Sequence, residues 1–506
     1  MRPLAHGFRL GLRGGRRAAL GVALAAAFAS GCTVVGNDYV RPSLATPDTW
    51  RIDYREAADV ANTRWWQQFG DAALDQLIET ALRENRDIAI AAARVDQVLG
   101  QLATTRSQYY PQIGYSLDAS NNRSSRVGQP PLPSGSDPYY TLYQGALSAQ
   151  WQIDLFGRLR RQSEAVQAQV YASEQGRRGV VQSLVASVAA GYITLRALDR
   201  QLEISRAAAE NYAGTRKIFD LRFKGGVVSQ VEVSQVESQY QQALAAIPSI
   251  EQQVAAQENL ISVLLGRNPG PIPRGRTIDQ FVAPGIPGGL PSTMLERRPD
   301  ILQAEQTLVA ANANVGVARS LYYPTITLTG VLGSVSTALG DFLTGPATAA
   351  SLAAGLAGPL FTFGAIEGQV QSAEAARREA LASYQQVVLN AFRETNDALV
   401  GSAKKREEAQ AQAKRVAALR EYARLSRLKF DNGYAGYLEV LYAENELFGV
   451  ELAAVRSYAE QYTQLVSVYR AFGGGWIDEA DRMAPQPLAG AAASGARQGG
   501  GDAAAR

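Results

Sequence analysis

The same order of signals occurs twice along the chain, and the period of the apolar pattern changes at matching places in each pass. Tyr109-Tyr110-Pro111 returns as Tyr322-Tyr323-Pro324, each after an Ala-rich helical stretch, Ala91 to Gln108 and Ala304 to Leu321. Phe156-Gly157 returns as Phe363-Gly364. Arg222-Phe223-Lys224-Gly225-Gly226 with Val231-Glu232-Val233 returns as Lys429-Phe430-Asp431-Asn432-Gly433 with Leu438-Glu439-Val440. The last two pairings share an offset of 207 residues. A unit of that length is too long for a solenoid. It predicts an internal two-fold repeat in which each half uses the same elements in the same order.

After Pro111 the apolar residues alternate. Ile113, Tyr115, Leu117 and Ala119 oppose Gln112, Gly114, Ser116, Asp118 and Ser120. After Pro138 they alternate again, with Tyr143, Leu147, Ala149, Trp151, Ile153 and Leu155 against Gln144, Ser148, Gln150, Gln152 and Asp154. A Pro/Gly/Ser loop, Ser124 to Pro138, separates the two runs. This spacing predicts a β-hairpin whose strands, roughly ten residues each, are long enough to cross a bilayer when tilted. A soluble hairpin with one wet face has the same pattern. In the second half Ile326, Leu328 and Leu332 oppose Thr325, Thr327 and Thr329, and a fainter, Ala/Gly-rich return strand is predicted at about Ser351 to Phe363.

The remainder reads as very long helices. There is no proline from Tyr139 to Ile247 or from Leu360 to Ala484. Leu184, Val188, Tyr192, Leu195, Leu198 and Leu202 recur at spacings of three and four, a seam for a partner helix. One helix from Gly157 to Lys224 would be about 100 Å long. Gly225-Gly226 and Asn432-Gly433 are turn signals at which each long helix folds back.

The N-terminus reads as a targeting segment. A basic stretch ends at Arg17, an apolar run covers Ala18 to Ala29, and Ser30-Gly31-Cys32 follows. The run is too short to span a hydrocarbon core of about 30 Å. Cys32 is the only cysteine, and a cysteine directly after a small-residue cleavage site resembles a bacterial lipobox, which implies N-acyl and S-diacylglycerol lipid on Cys32. Thr33 follows where an Asp would resemble an inner-membrane retention signal. The formal charge of +3 includes five arginines in residues 1–31, so the mature chain is about −2, and nothing points to nucleic acid. The only histidine, His6, lies in the targeting segment. No His-based triad, His–metal site or glycine-rich phosphate loop is available, and no enzyme, cofactor or metal site is expected.

The expected organisation is a signal peptide, 1–31; a lipidated N-terminal segment, 32–70; and a first repeat, 71–267, with its β-hairpin at about 109–155 and helical tip at about 225–229. A linker, 268–291, leads to a second repeat, 292–472, with hairpin at about 323–363 and tip at about 432–437. The tail, 473–506, is expected to be largely disordered. Four strands cannot close a barrel, and open edges in lipid would each cost several kcal/mol. A barrel would therefore be shared. Two copies give eight strands and a filled interior, whereas three give twelve and room for water. The helices exceed the hydrocarbon thickness about threefold and would have to project beyond it.

By this point the residues resemble a known family, the outer-membrane factors of tripartite efflux pumps: TolC-like proteins, and among them the lipoprotein branch typified by OprM and NodT. The segment Trp65-Trp66-Gln67-Gln68-Phe69-Gly70-Asp71, with Leu74, Leu77, Ala81, Leu82 and Asn85, is similar to that branch's opening motif. Arg297-Arg298-Pro299-Asp300-Ile301, with Ala304, Glu305, Ala310, Asn312, Gly316, Ala318 and Pro324, is more specific. The resemblance covers Cys32 to Trp476. It implies a homotrimer with a 12-stranded outer-membrane β-barrel and a periplasmic α-barrel of helical hairpins. It also implies a membrane-fusion adaptor and an inner-membrane RND-type transporter as partners, and a role as passive exit duct for drugs or other small molecules. A type I secretion duct, or a structural envelope lipoprotein without a pore, are the alternatives, and a spacer needs no amphipathic hairpins. The turns Gly225, Gly226, Asn432 and Gly433 would then sit where partners dock. Glu232 and Glu439, just after them, would contribute to a constricted entrance, with Phe430 and Tyr442 beside it. An acid in the first turn of a helix also has an ordinary reason, the positive end of the helix dipole, worth about 0.3–1 kcal/mol.

Overall fold

A glycine in the left-handed region ends each of the two longest helices, and those turns set the plan of the molecule. In a computed structural model of the protein, residues 34–44, 64–128, 132–286, 294–474 and 476–488 are described. The targeting segment, Cys32 and residues 489–506 lie outside them. After a 3-10 helix at Trp65–Phe69 the order is α1 (Ala72–Glu84), α2 (Arg86–Ser107), β1 (Gln112–Arg123), β2 (Tyr139–Ile153), α3 (Arg158–Lys224) and α4 (Gln230–Leu264). Then come the short α5 (Met294–Arg297), α6 (Pro299–Ser320), β3 (Thr325–Ser336), β4 (Thr348–Ala357), α7 (Ala365–Asp431), α8 (Tyr437–Phe472) and α9 (Trp476–Met483). Three pairs of corresponding elements match in length: α2 and α6 have 22 residues, β1 and β3 have 12, and α3 and α7 have 67, whereas β2 has 15 and β4 has 10.

The chain forms two compact units whose boundaries fall inside α2, α3, α6 and α7. The first holds one antiparallel sheet in the order β1-β2-β3-β4, with β1 and β4 as its edges. Its register carries a single rule across all four strands. Tyr115 lies opposite Leu147, Leu147 opposite Leu332, and Leu332 opposite Ala350. Side chains alternate along a strand, so Tyr115, Leu117, Leu147, Trp151, Leu328, Leu332, Leu352 and Leu356 share one face. Gln112, Ser116, Gln144, Ser148, Gln150, Thr327, Thr329 and Ser351 share the other. In the single chain the apolar face is largely uncovered.

The return strand β4 begins at Thr348 and ends at Ala357, earlier at both ends than the expected 351–363. Its composition, Thr-Ala-Ala-Ser-Leu-Ala-Ala-Gly-Leu-Ala, alternates too weakly to mark its ends, and Pro359 cannot donate to a ladder. Leu360, Phe361 and Phe363 lie outside the strand and are exposed.

The second unit holds the main core. Trp65 stacks on Tyr469 at 4.8 Å between ring centroids, and Trp476 meets Trp65 and Trp66 edge-on, each at 6.0 Å. The expectation of a disordered tail from 473 is therefore corrected at its start. Trp476, Ile477 and Ala480 are buried, so α9 presents an apolar face that completes the core, with the Trp476 ring its largest part. α3 contains a stretch apolar enough for a bilayer, but most of it is buried within the protein and is core. α4 continues through Pro248, which a proline rule alone would have made a helix end.

Candidate functional site

The two helical tips are built by one device used twice. At the end of α3 the Gly226 N–H donates to Phe223 O and the Val227 N–H to Arg222 O, both at 2.9 Å, with Gly226 at φ +70°. At the end of α7 the Gly433 N–H donates to Phe430 O (3.0 Å) and the Tyr434 N–H to Lys429 O (2.9 Å), with Gly433 at φ +76°. Both are Schellman turns, in which glycine takes the left-handed position without a Cβ clash. The helices that follow start differently. Ser229 caps α4 in a reciprocal box with Glu232, whose Oε2 accepts the Ser229 N–H at 2.7 Å. Gly436 precedes α8 and offers no capping side chain.

Around these turns Phe219 of α3, Val236 of α4, and Tyr437, Val440 and Leu441 of α8 form a buried cluster, with Phe430 of α7 packed against it. Phe219 lies 4.3 Å from Tyr437 between centroids and 6.5 Å from Phe430, stacked. The Arg222 guanidinium sits 5.3 Å from the Phe430 ring centroid. One apolar knot thus ties the α3–α4 hairpin to the α7–α8 hairpin.

Of the acids expected near this end, Glu232 is engaged in its cap, and Glu439 accepts from Lys429 Nζ at 3.3 Å. Phe430 is turned into the knot, and Tyr442 is exposed. Within one chain these four residues do not form a single constellation. Sequence reasoning missed Phe219, Tyr437 and a half-buried acid, Glu444. Burial raises the Glu444 carboxyl above the usual range, while Arg427, 3.8 Å away, pulls it down. The Tyr437 phenol is pushed up to about 12, first by burial and then by the Glu444 charge. An aromatic within two turns of each helix end was the available signal for Phe219 and Tyr437.

The N-terminal segment has its own binding site in the first unit. Arg161, 5% exposed, donates to Val35 O (3.2 Å), Gly36 O (3.0 Å), Asp38 (2.8 Å) and Glu164 (2.7 Å). The Asn312 amide donates to Asn37 O at 3.0 Å. A Cβ on Gly36 would lie 2.8 Å from Gly316 Cα, so two glycines let these backbones meet. Val35 N–H donates to Phe156 O at 3.1 Å, and Val34 fills the space beside Gly157, where β2 gives way to α3.

The motif residues are structural. Asp71, buried, accepts from Ala73 N (2.8 Å) to cap α1, and also from Tyr192 OH (3.1 Å) and Arg276 N (2.8 Å). Arg298 donates to Asp300 at 2.6 Å, to Glu394 at 2.9 Å and to Ala471 O at 2.9 Å. Among the described residues no group of His, Cys, Asp and Glu has the arrangement of a metal site.

The chain thus combines a sheet with one apolar and one polar face, two long helical hairpins and a strapped N-terminus. The profile of the family described as outer membrane efflux protein matches residues 77–267 and 290–474. The toluene efflux pump outer membrane protein TtgC of Pseudomonas putida is 31% identical over 471 residues, covering 91% of this chain and 96% of that one. The cation efflux system protein CusC of Escherichia coli is 29% identical over 454 residues, covering 88% and 96%. The open-state structure of the MtrE outer membrane channel of Neisseria gonorrhoeae superposes with a TM-score of 0.80 at 26% identity, covering 90% of this chain and 100% of that one. The chain belongs to the outer membrane efflux protein family. It is an outer-membrane efflux channel protein, resident in the outer membrane and extending into the periplasm.

Proposed function

We propose that three copies of this chain close a 12-stranded β-barrel and together form the passive exit duct of a tripartite pump for drugs or other small molecules. The observation that carries this is the sheet register. All four strands place apolar side chains on one face, while the edges β1 and β4 are left to pair with something. In hydrocarbon those edge groups need partners, and a second copy supplies them. The polar face of Gln, Ser and Thr then lines the water. The matched element lengths support an internal repeat, so three chains present six similar hairpins. Native mass spectrometry of the detergent-extracted protein tests this: three chains per particle are expected, and a particle of one chain defeats the shared barrel.

The turns at Gly225-Gly226 and Asn432-Gly433 carry exposed apolar side chains, Val227, Val231, Tyr434 and Leu438. Such tips suit docking to a periplasmic adaptor that links the duct to an RND-type transporter. The same end is the candidate entrance. There the aromatic knot holds the hairpins together, Glu232 and Glu439 recur three times each around the axis, and Tyr442 is available to narrow the passage. Cys32 lies two residues before Val34, which is held beside Gly157, directly before α3. Lipid on that cysteine would enter the bilayer next to the barrel.

A further inference from the structure

The loop between β3 and β4 folds back onto the apolar face of the sheet. The Ser334 hydroxyl donates to Phe342 O, and Ala347 O lies 3.4 Å from the same hydroxyl oxygen. The Phe342 ring seats on Gly145. A Cβ there would lie 2.7 Å from Phe342 Cζ and 2.9 Å from Leu117 Cδ2. Between loop and sheet runs a groove of about 210 Å³ lined by Leu117, Ala119, Tyr143, Leu339 and Phe342, with Asp118 and Gln144 also in its wall but with side chains alternating to the other face of the sheet. Leu343, beside it, is 90% exposed. Leucines so placed are costly against water and favourable against hydrocarbon.

The strand positions beyond the groove change character. Arg123 lies on the same face as Ala119 and four residues farther along β1, roughly 13 Å at the strand rise. Its guanidinium sits 5.5 Å from the Tyr139 ring centroid, and among the described residues no carboxylate is shown paired with it. Tyr139 lies opposite Arg123, and Tyr143 opposite Ala119. Asp137, two residues before Tyr139, accepts the Tyr139 N–H at 2.9 Å. The side chain of Asp118 belongs to the opposite, polar face. An apolar groove, then tyrosines, then an unpaired arginine is the order of chemistry met on leaving a membrane: acyl chain, interface, anionic headgroup.

We propose that this groove is a lipid-binding site, taking one acyl chain of a phosphorylated outer-leaflet glycolipid whose phosphate is held by Arg123. The assignment rests on the barrel reading above. The β-hairpin ends are remote along the chain from the helices that reach the periplasm, which puts them at the outer leaflet, and the glycolipid there carries phosphates on an acylated disaccharide.

Native mass spectrometry of the trimer, titrated with hexa-acyl bisphosphoryl lipid A in mild detergent, tests the site. Up to three adducts per trimer are expected. Arg123→Gln, an exposed position that leaves folding intact, should weaken them about tenfold, as should use of monophosphoryl lipid A. Phe342→Ala, which opens the groove, should weaken them comparably. Absence of adducts on the wild-type trimer, or identical titrations for both variants, overturns the site. Equal displacement by dioleoylphosphatidylglycerol overturns the glycolipid assignment. Planar-bilayer conductance of the same preparation separates the two readings. A conducting trimer without adducts removes the lipid site and leaves the channel, whereas a preparation with neither trimer nor conductance removes both.

Discussion

Replacing Phe219 with alanine is expected to open the channel. Phe219 is 2% exposed and joins α3 to Tyr437 of α8 and Phe430 of α7, so its ring is shared by the two hairpins. Phe→Ala in a well-packed core costs about 3–5 kcal/mol. The tip is a small cluster with room to relax, so about 3 kcal/mol is the working value. Every 1.4 kcal/mol is a factor of ten in an equilibrium. If opening separates the hairpins here, the closed-to-open ratio falls about 100-fold. Val450→Ala is the control. Val450 packs with Val416 and Ala454 and ties α7 only to α8, so it should lower thermal stability without altering gating. The assay is open probability in planar bilayers on trimers verified by native mass spectrometry. Phe219→Ala trimers that melt earlier but gate like wild type, or a Val450→Ala channel that opens equally, would refute the idea that the knot holds the entrance shut.

Four other outcomes are expected. Arg161→Met removes four hydrogen bonds and should release the strap at residues 34–44, seen as faster proteolysis there and a loss of about 2 kcal/mol in stability. Cys32→Ser should abolish labelling by a clickable fatty acid while outer-membrane insertion persists; continued labelling would defeat the lipobox reading. Glu232→Gln with Glu439→Gln should raise conductance or reduce cation preference, and unchanged values on intact trimers would reduce both to helix-end residues. Asp75, raised to about 6 by burial, then by Asp71 and Glu79, favours its protonated form in the folded state. Stability should therefore fall as pH rises from about 4 to 6, and Asp75→Asn should be more stable than wild type above pH 6 by about 1–2 kcal/mol, allowing for partial exposure; melting curves at pH 5 and pH 7 check this.

What the sequence shows of this molecule follows the range of the interaction. The first hairpin is legible because alternation is local: Ile113, Tyr115 and Leu117 declare their face without reference to any other strand. The two tips are legible because Gly226 and Gly433 carry the turns by themselves. β4 was misplaced because alanine and glycine do not declare a face, so its register is set by β3. The aromatic knot was not legible, since Phe219 and Tyr437 meet across 218 residues and neither belongs to a motif. The tail helix α9 escaped because eight residues are too short a span for periodicity to register, and its apolar face of Trp476, Ile477 and Ala480 has meaning only against the core it meets. At the helical tips the turns and the acids that follow them are legible, but the partners of those acids, Ser229 and Lys429, emerge only from helix geometry.

The 67-residue count common to α3 and α7 acts as a ruler. Phe219 and Phe430, five and one residues before the ends of their helices, stack only while the two helices keep a fixed relative depth, and each added residue advances a helix by about 1.5 Å. A seven-residue insertion in α3 alone would carry its tip about 10 Å past that of α7 and pull Phe219 out of the knot, although the local heptad seam stayed in phase. Length changes in this protein should therefore be tolerated only as matched pairs, one in each hairpin. A duct meant to reach across a wider periplasm would have to be lengthened twice within every chain.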